Sequence, residues 1–434
     1  MTKLSSIKDL YDVYLKHPKI STDTRSIEPD SLFFALKGQN FDGNKFAEDA
    51  IKAGAAFAII DDVNFDKSEK TFLVDDVLTT LQSLANYHRR QLKIPFLAIT
   101  GSNGKTTTKE LVNAVLSKKY KTLATKGNLN NHIGVPLTLL SISHEIEFAI
   151  IEMGANHQKE ISLLCDIAMP DYGIITNIGK AHLEGFGGIE GIKKGKGEMY
   201  DFLKSNKGKI FLNSDSEELK EMLTARSLNA ITYGKSNDAD LVGEIIREQP
   251  TVSFKWKWKN GVFNVVESQL PGVYNLPNFL CAACVGSYFG VEVNKINQAL
   301  SSYVADNNRS QIIKKNNKTI LLDAYNANPS SMEAAIQNFV KLEAQRKIVF
   351  LGNMLELGEE AKFEHQKLVN LITQNNFKEV YLVGNLFKDV SNSFNYFENV
   401  DQCIDAIKES EFNNATILIK GSRGSKMEKL LDVL

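Results

Sequence analysis

Apolar residues follow two alternating patterns along this chain. Short continuous runs at Ser31 to Leu36, Ala55 to Asp61, Phe96 to Thr100, Phe148 to Met153 and Tyr172 to Ile178 predict buried strands. Between them, helical spacing predicts helices over Val77 to Arg90, from about Lys105, over Lys159 to Ala168 and over Ile189 to Leu203. After the polar stretch Ala305-Asp-Asn-Asn308 the alternation resumes, with strands at Thr319 to Leu322, Lys347 to Leu351, Glu379 to Val383 and Thr416 to Ile419 and a terminal helix over Ser425 to Leu434. Strand and helix in alternation predict an α/β protein of mostly parallel sheets, the second series an independent Rossmann-like unit.

One segment breaks the rhythm. Ser253-Phe-Lys-Trp-Lys-Trp-Lys259 and Val262-Phe-Asn-Val-Val266 alternate at period two around Asn260-Gly261, which predicts an antiparallel hairpin. Lys and Trp at alternate positions would also suit a stacking platform for single-stranded nucleic acid; the turn signal favours the plain hairpin.

With 434 residues the chain exceeds one core, and the pattern divides it into three domains, 1–90, 91–308 and 309–434. The first is a small α/β unit and the second a nucleotide-binding sheet. Lys and Arg total 51 against 52 Asp and Glu, so no net field draws nucleic acid or an anionic membrane, and any anion must be met locally. No apolar run is long enough to span a bilayer, and Met1 to Lys19 lacks a signal-peptide pattern, so a cytoplasmic protein without membrane insertion is expected. Four scattered cysteines exclude a disulfide framework, and the Cys281/Cys284 pair sits in a small-residue helical pattern that predicts packing, not metal or redox chemistry.

The sharpest local feature is Ile99-Thr-Gly-Ser-Asn-Gly-Lys-Thr-Thr-Thr108, between a predicted strand and a predicted helix. Gly101 and Gly104 allow a tight turn whose N–H groups face phosphate oxygens, Lys105 adds a charge for the β/γ-phosphates and Thr106 a hydroxyl for Mg²⁺. The full P-loop pattern places another glycine six residues before the lysine; Ile99 stands there, leaving the shorter form. ATP or GTP binding is expected. Glu152 and His182 follow strands whose carboxyl ends would face the same site, each suited to a metal and each equally ordinary as a capping or structural residue.

Together the motifs resemble the Mur ligases of peptidoglycan synthesis, over essentially the whole chain and in the same order. Thr100 to Thr107 looks like the family's ATP loop. Gly127-Asn-Leu-Asn-Asn-His-Ile-Gly-Val-Pro136, Glu152-Met-Gly-Ala-Asn-His-Gln158, Ala181-His-Leu-Glu-Gly-Phe-Gly187, Tyr325-Asn-Ala-Asn-Pro-Ser-Ser331 and Leu351-Gly-Asn-Met-Leu-Glu-Leu-Gly358 resemble the member that adds D-alanyl-D-alanine; the Asp-Asn-Pro-Arg tetrapeptide of a diamino-acid-adding sister does not occur.

The resemblance implies an ATP-dependent amide ligase that activates the carboxylate of a UDP-N-acetylmuramoyl tripeptide as an acyl phosphate and joins it to D-alanyl-D-alanine. It implies a nucleotide site at Gly101, Ser102, Asn103, Gly104, Lys105, Thr106 and Thr107, with Asn275 and Asn278 at the adenine and Arg309 and Asp323 reaching over from the C-terminal domain. Two Mg²⁺ ions would be held by Thr106, Glu152, His182 and a carbamylated Lys196; from the residues alone, Lys193 to Met199 reads as a solvated basic helix face. The UDP end would be met by Asp23, Thr24, Arg25, Lys37, Gly38, Asp42 and Gly43, with Asn130 and Asn131, and the dipeptide by Asn326 and Asn328. A monomer is expected. The chain departs from the family where Asn308-Arg309 replaces Gly-Arg, Leu322-Asp323-Ala324-Tyr325 replaces Asp-Asp-Ser-Tyr, and Asn353 replaces Asp. Another ligase of the superfamily, folylpolyglutamate synthetase included, and a nucleotide-regulated binding protein remain alternatives.

Overall fold

A computed structural model describes residues 6–390 and 393–434. Three main sheets follow one another along the chain. The first orders four parallel strands as Lys19–Ser21, Ser31–Phe34, Phe57–Ile60 and Thr71–Leu73. Helix Val77–Gln91 leaves it and lies with Leu81 and Leu84 fully buried, in an apolar cluster that also takes in Leu10, Phe34, Leu139 and Ile161. Packing is therefore continuous where the first expected division falls.

The second sheet has nine strands. Seven run parallel, in the order Thr122–Ala124, Phe148–Glu152, Phe96–Thr100, Tyr172–Ile175, Lys209–Asn213, Ile231–Gly234 and Leu241–Arg247. The chain winds outward in opposite directions from the strand Phe96–Thr100, which opens a crevice at its carboxyl end. Strands Ser253–Trp258 and Asn264–Glu267 extend the sheet antiparallel.

The expected hairpin forms one residue out of place. Gly261 N donates to Trp258 O at 2.9 Å and Lys259 takes φ 46°, so Lys259 and Asn260 are the central turn residues and the second strand starts at Asn264. The wider connection sets the Phe263 ring within 4.9 Å of both Lys255 Nζ and Lys257 Nζ. Trp256 is fully buried with its indole N–H donating to Asn297 Oδ1 at 2.9 Å, so it is core and offers no stacking face.

The third sheet is Gln311–Lys315, Lys318–Asp323, Ala415–Lys420, Arg346–Gly352, Glu379–Val383 and Asn395–Phe397, parallel apart from its first strand. Its cores begin at Ile320, whereas the central cluster ends at Ala305. The predicted terminal helix is instead two 3-10 runs, Arg423–Ser425 and Met427–Asp432. Lys426, at φ 50°, breaks the helix, and burial of Met427 and Leu430 three residues apart suits the tighter winding. All four cysteines are free and buried, Cys281 and Cys284 inside helix Leu276–Tyr288.

Candidate active site

A cleft of about 860 Å³ lies between the central and C-terminal sheets. The central side supplies the phosphate loop. Gly101 has φ 138°, and a Cβ there would stand 2.0 Å from Thr176 Oγ1; Gly104, at φ 77°, has Asn278 Oδ1 2.8 Å from the same position. Both glycines are therefore required by backbone conformation and by close neighbours. The loop is fastened from the next strand end: Thr176 Oγ1 donates to Asn103 O at 2.6 Å, Asn103 N to Asn177 Oδ1 at 3.0 Å, and Ser102 Oγ and Gly179 bond reciprocally. Thr176 and Asn177 were not singled out in the sequence; polar residues directly after a buried strand were the available signal.

Lys105 Nζ donates to Gly101 O at 2.6 Å and Ser102 O at 3.2 Å, folded back against its own loop. Burial pushes its pKa down to about 8, against the pull of Glu152 and with the charge of Arg309 adding to the fall. Behind it Thr106 Oγ1 donates to Glu152 Oε1 at 3.2 Å and Asn130 Nδ2 to the same oxygen at 2.8 Å, while Oε2 is buried without a hydrogen-bond partner among the described residues. An orphaned carboxylate oxygen beside a hydroxyl and a phosphate loop has the chemistry to hold Mg²⁺. Among the described residues no group of three His, Cys, Asp or Glu could hold a metal, so phosphate and water oxygens would complete the shell, as suits a reluctantly dehydrated ion. The fully buried Lys109 supports this corner: its Nζ donates to Thr125 O at 2.5 Å, and Thr125 Oγ1 accepts from Glu152 N at 2.9 Å.

Lys196 corrects the reading of its helix as a solvated face. It is 2% exposed, with Nζ donating to Ala155 O at 3.1 Å and 4.9 Å from the Phe186 ring centre. Burial, then the nearby Lys105 charge, push its pKa well below the ordinary lysine value. His182, in the left-handed conformation at φ 56°, sets Nδ1 2.5 Å from Glu356 Oε2 across the cleft, and the imidazole in turn lowers the Glu356 pKa.

Asn275 and Asn278 line the cleft, yet half of their polar capacity braces the helix start: Asn278 Nδ2 donates to Asn275 Oδ1, Asn275 Nδ2 to Pro271 O, and Asn278 Oδ1 accepts from Thr108. Asn131 lines it too, its Oδ1 accepting from Ile133 N and Gly134 N.

From the C-terminal side come Arg309, Asp323, Asn326 and Asn328. Asn308 and Ser310 have φ 56° and 49°, which explains why glycine is at home at position 308 and asparagine tolerated. Asp323 is ion-paired with the buried Lys420. Asn326 Oδ1 accepts from Ala327 N, and Asn328 caps helix Pro329–Lys341 while its Nδ2 donates to Asn103 Oδ1 of the phosphate loop at 2.7 Å. Tyr325, read in the sequence only as part of its motif, also lines the cleft, as do Lys420 and Arg423, which were missed in the sequence.

The expected UDP residues lie outside this cleft, apart from Asn130 and Asn131. Asp23 caps Thr24–Ser26 and pairs with the exposed Arg25, which holds the Asp23 carboxyl down to about 2. Lys37 and Gly38 form a two-stranded hairpin with Phe41–Asp42, Asp42 caps Gly43–Phe46, and Lys37 Nζ lies 2.8 Å from Asp61.

Sequence models of the Mur ligase family match residues 18–92 ("Mur ligase family, catalytic domain"), 99–286 ("Mur ligase middle domain") and 308–423 ("Mur ligase, glutamate ligase domain"). The UDP-N-acetylmuramoyl-tripeptide–D-alanyl-D-alanine ligase of Bacillus subtilis is 34% identical, over 95% of this chain and 92% of its own. That of Escherichia coli is also 34% identical, over 96% and 93%. Crystal structures of MurF from Acinetobacter baumannii (30% identical, 95% and 92% covered) and from Thermotoga maritima in complex with ADP (26%, 96% and 97%) each superpose with a TM-score of 0.86. On this similarity across all three sheets, the chain belongs to the Mur ligase family.

Proposed function

We propose that this protein is an ATP-dependent amide ligase that joins D-alanyl-D-alanine to a UDP-N-acetylmuramoyl tripeptide, forming the pentapeptide precursor of peptidoglycan. The observation that carries the reading is one cleft holding the phosphate loop, an orphaned metal-suited carboxylate and a buried lysine beside it, closed over by a second sheet.

The chemical problem is that a carboxylate must approach a triphosphate. Loop residues 101–107 bind the phosphates, and Lys105, drawn off its carbonyls, sets its ammonium against them. Glu152 and Thr106 would hold Mg²⁺, and His182 with Lys196 a second ion. When bound, the ions neutralise phosphate charge and polarise the transferring group. Burial, which pushes the Lys196 pKa well below the ordinary lysine value, favours the neutral amine, the form that adds CO₂ to give an anionic carbamate and would thereby turn a cation into a ligand. The carboxylate oxygen attacks the γ-phosphorus and releases ADP. The dipeptide amine then attacks the acyl carbon, and the tetrahedral adduct loses a proton and expels phosphate. Asn275 and Asn278 would face the adenine, and Arg309 and Asp323 the nucleotide from the other side, with Asn326 and Asn328 positioning the dipeptide.

In this reading residues 1–90 hold the UDP end through Arg25, Lys37 and the turns around Asp23, Thr24, Gly38, Asp42 and Gly43, residues 91–308 catalyse, and residues 309–434 close on both small substrates. Among the described residues no helix is long and apolar enough to cross a membrane; a cytoplasmic monomer is the setting we infer. Phosphate release from ATP, measured with UDP-muramoyl tripeptide and with or without D-alanyl-D-alanine, should rise with the dipeptide; release indifferent to it would refute the assignment.

A further inference from the structure

Most of the charged groups that face the cleft are engaged by neighbours. Lys420 is held by Asp323, His182 lies against Glu356, and Glu160 accepts from the backbone of Asn156 and His157. Lys105 is folded back onto the loop carbonyls Gly101 O and Ser102 O. The two guanidinium groups Arg309 and Arg423 remain, and among the described residues neither forms an ion pair. Both lie against Tyr325, at 3.8 Å and 5.7 Å from the ring centre.

Arg423 stands on a built support. The neighbouring Ser422 is 2% exposed; its Oγ donates to Ala327 O at 3.2 Å and accepts from Leu355 N at 3.1 Å, and its backbone N donates to Asn353 O at 3.0 Å. One hydroxyl thus ties together the loops that carry Asn326, Leu355 and Arg423. Leu355 is 40% exposed toward the cleft, and a Cβ on Gly424 would be 3.0 Å from its Cδ1, so its side chain lies along the loop beside Arg423. An unpaired guanidinium next to an exposed apolar wall is a receptor for a small amphiphilic anion.

We propose that Arg423 binds the terminal carboxylate of the incoming dipeptide, with Leu355 against its methyl group. This rests on the ligase reading above. The dipeptide's amine must reach the acyl carbon on the central side, so its carboxylate, about 7 Å away in an extended dipeptide, points toward the C-terminal sheet. The cations Lys420 and His182 are already engaged by Asp323 and Glu356, so that carboxylate needs a cation of its own, and a guanidinium receives it through two parallel hydrogen bonds. The nucleotide phosphates already have the loop and Lys105.

The test compares wild type, Arg423→Ala and Arg423→Lys in steady-state phosphate release, with D-alanyl-D-alanine and with its C-terminal amide as acceptors. In Arg423→Ala the dipeptide KM should rise about 30-fold, the scale of a charged hydrogen-bonded contact, while the ATP KM stays within about twofold. Wild type should prefer the free acid over the amide by a similar factor, Arg423→Ala should lose that preference, and Arg423→Lys should keep part of it. Retention of the full preference in Arg423→Ala overturns the inference, as does a rise in ATP KM with the dipeptide KM unchanged. A wild type whose phosphate release ignores the dipeptide overturns the ligase reading and this inference with it.

Discussion

Among the described residues burial leaves Lys196 Nζ a single hydrogen-bond partner, the Ala155 carbonyl at 3.1 Å, and makes its ammonium form costly. Removing that amine should therefore remove a metal ligand and not a surface charge. Lys196→Ala is expected to lower turnover at least a hundredfold, with partial recovery on adding acetate or bicarbonate; phosphate release unmoved by the substitution and by either anion would refute the carbamate role. Lys105, shifted in the same direction, gives a pH signature in stability. Burial lowers its folded pKa to about 8 from an ordinary 10.5, so between those values the unfolded chain binds more protons. Stability of wild type relative to Lys105→Met should rise as pH climbs from about 8 to about 10.5 and show no slope below about 8. Paired melting curves across that range check the sign. Residue types at this scale were readable where a motif constrains the backbone, as at Gly101 and Gly104. The solvated reading of Lys196 failed because its depth depends on the helix and strand packed over it, and Arg423 was missed because no local pattern marks it.

Asn328 does two jobs for its element. Its Oδ1 accepts from Ser331 N to cap helix Pro329–Lys341, and its Nδ2 reaches Asn103 in the phosphate loop. The jobs separate chemically. Asn328→Asp keeps the cap, so the melting temperature should hold, but it sets a carboxylate against Asn103 Oδ1 and should raise the ATP KM about tenfold. Asn328→Ala should in addition cost about 1 kcal/mol of stability, measured by denaturant unfolding. The hairpin shows what element-level patterning can and cannot tell. Its alternation was legible, yet the turn lies at Lys259-Asn260 and not Asn260-Gly261. Period-two patterning sets which face is buried, and the connection follows from side-chain contacts, here the Phe263 ring against the ammonium groups of Lys255 and Lys257.

Across the whole molecule the cleft exists only because the C-terminal sheet is docked. Lys180 Nζ meets Glu364 Oε1 at 2.5 Å, His182 meets Glu356, and Leu183 packs against the C-terminal core. Glu364 is 2% exposed, so Lys180→Met strands a buried carboxylate, and the pair should open to hydrate it. Small-angle scattering of that variant should show a larger radius of gyration than wild type, reduced on adding an ATP analogue with the UDP-tripeptide; identical curves would assign closure to other contacts.

By itself the sequence determined the α/β class, most of the strand and helix spans, the phosphate loop and, through its motifs, the family. Each depends on neighbours a few residues apart or on a fixed local conformation. The tertiary structure alone decided that Lys196 is buried, that Thr176, Asn177 and Lys109 brace the loop and Glu152, that Asn328 bridges two sheets, and that Arg423 faces the cleft unpaired. Those facts depend on distances between segments tens to hundreds of residues apart, which burial and charge pairing set only once the sheets have met.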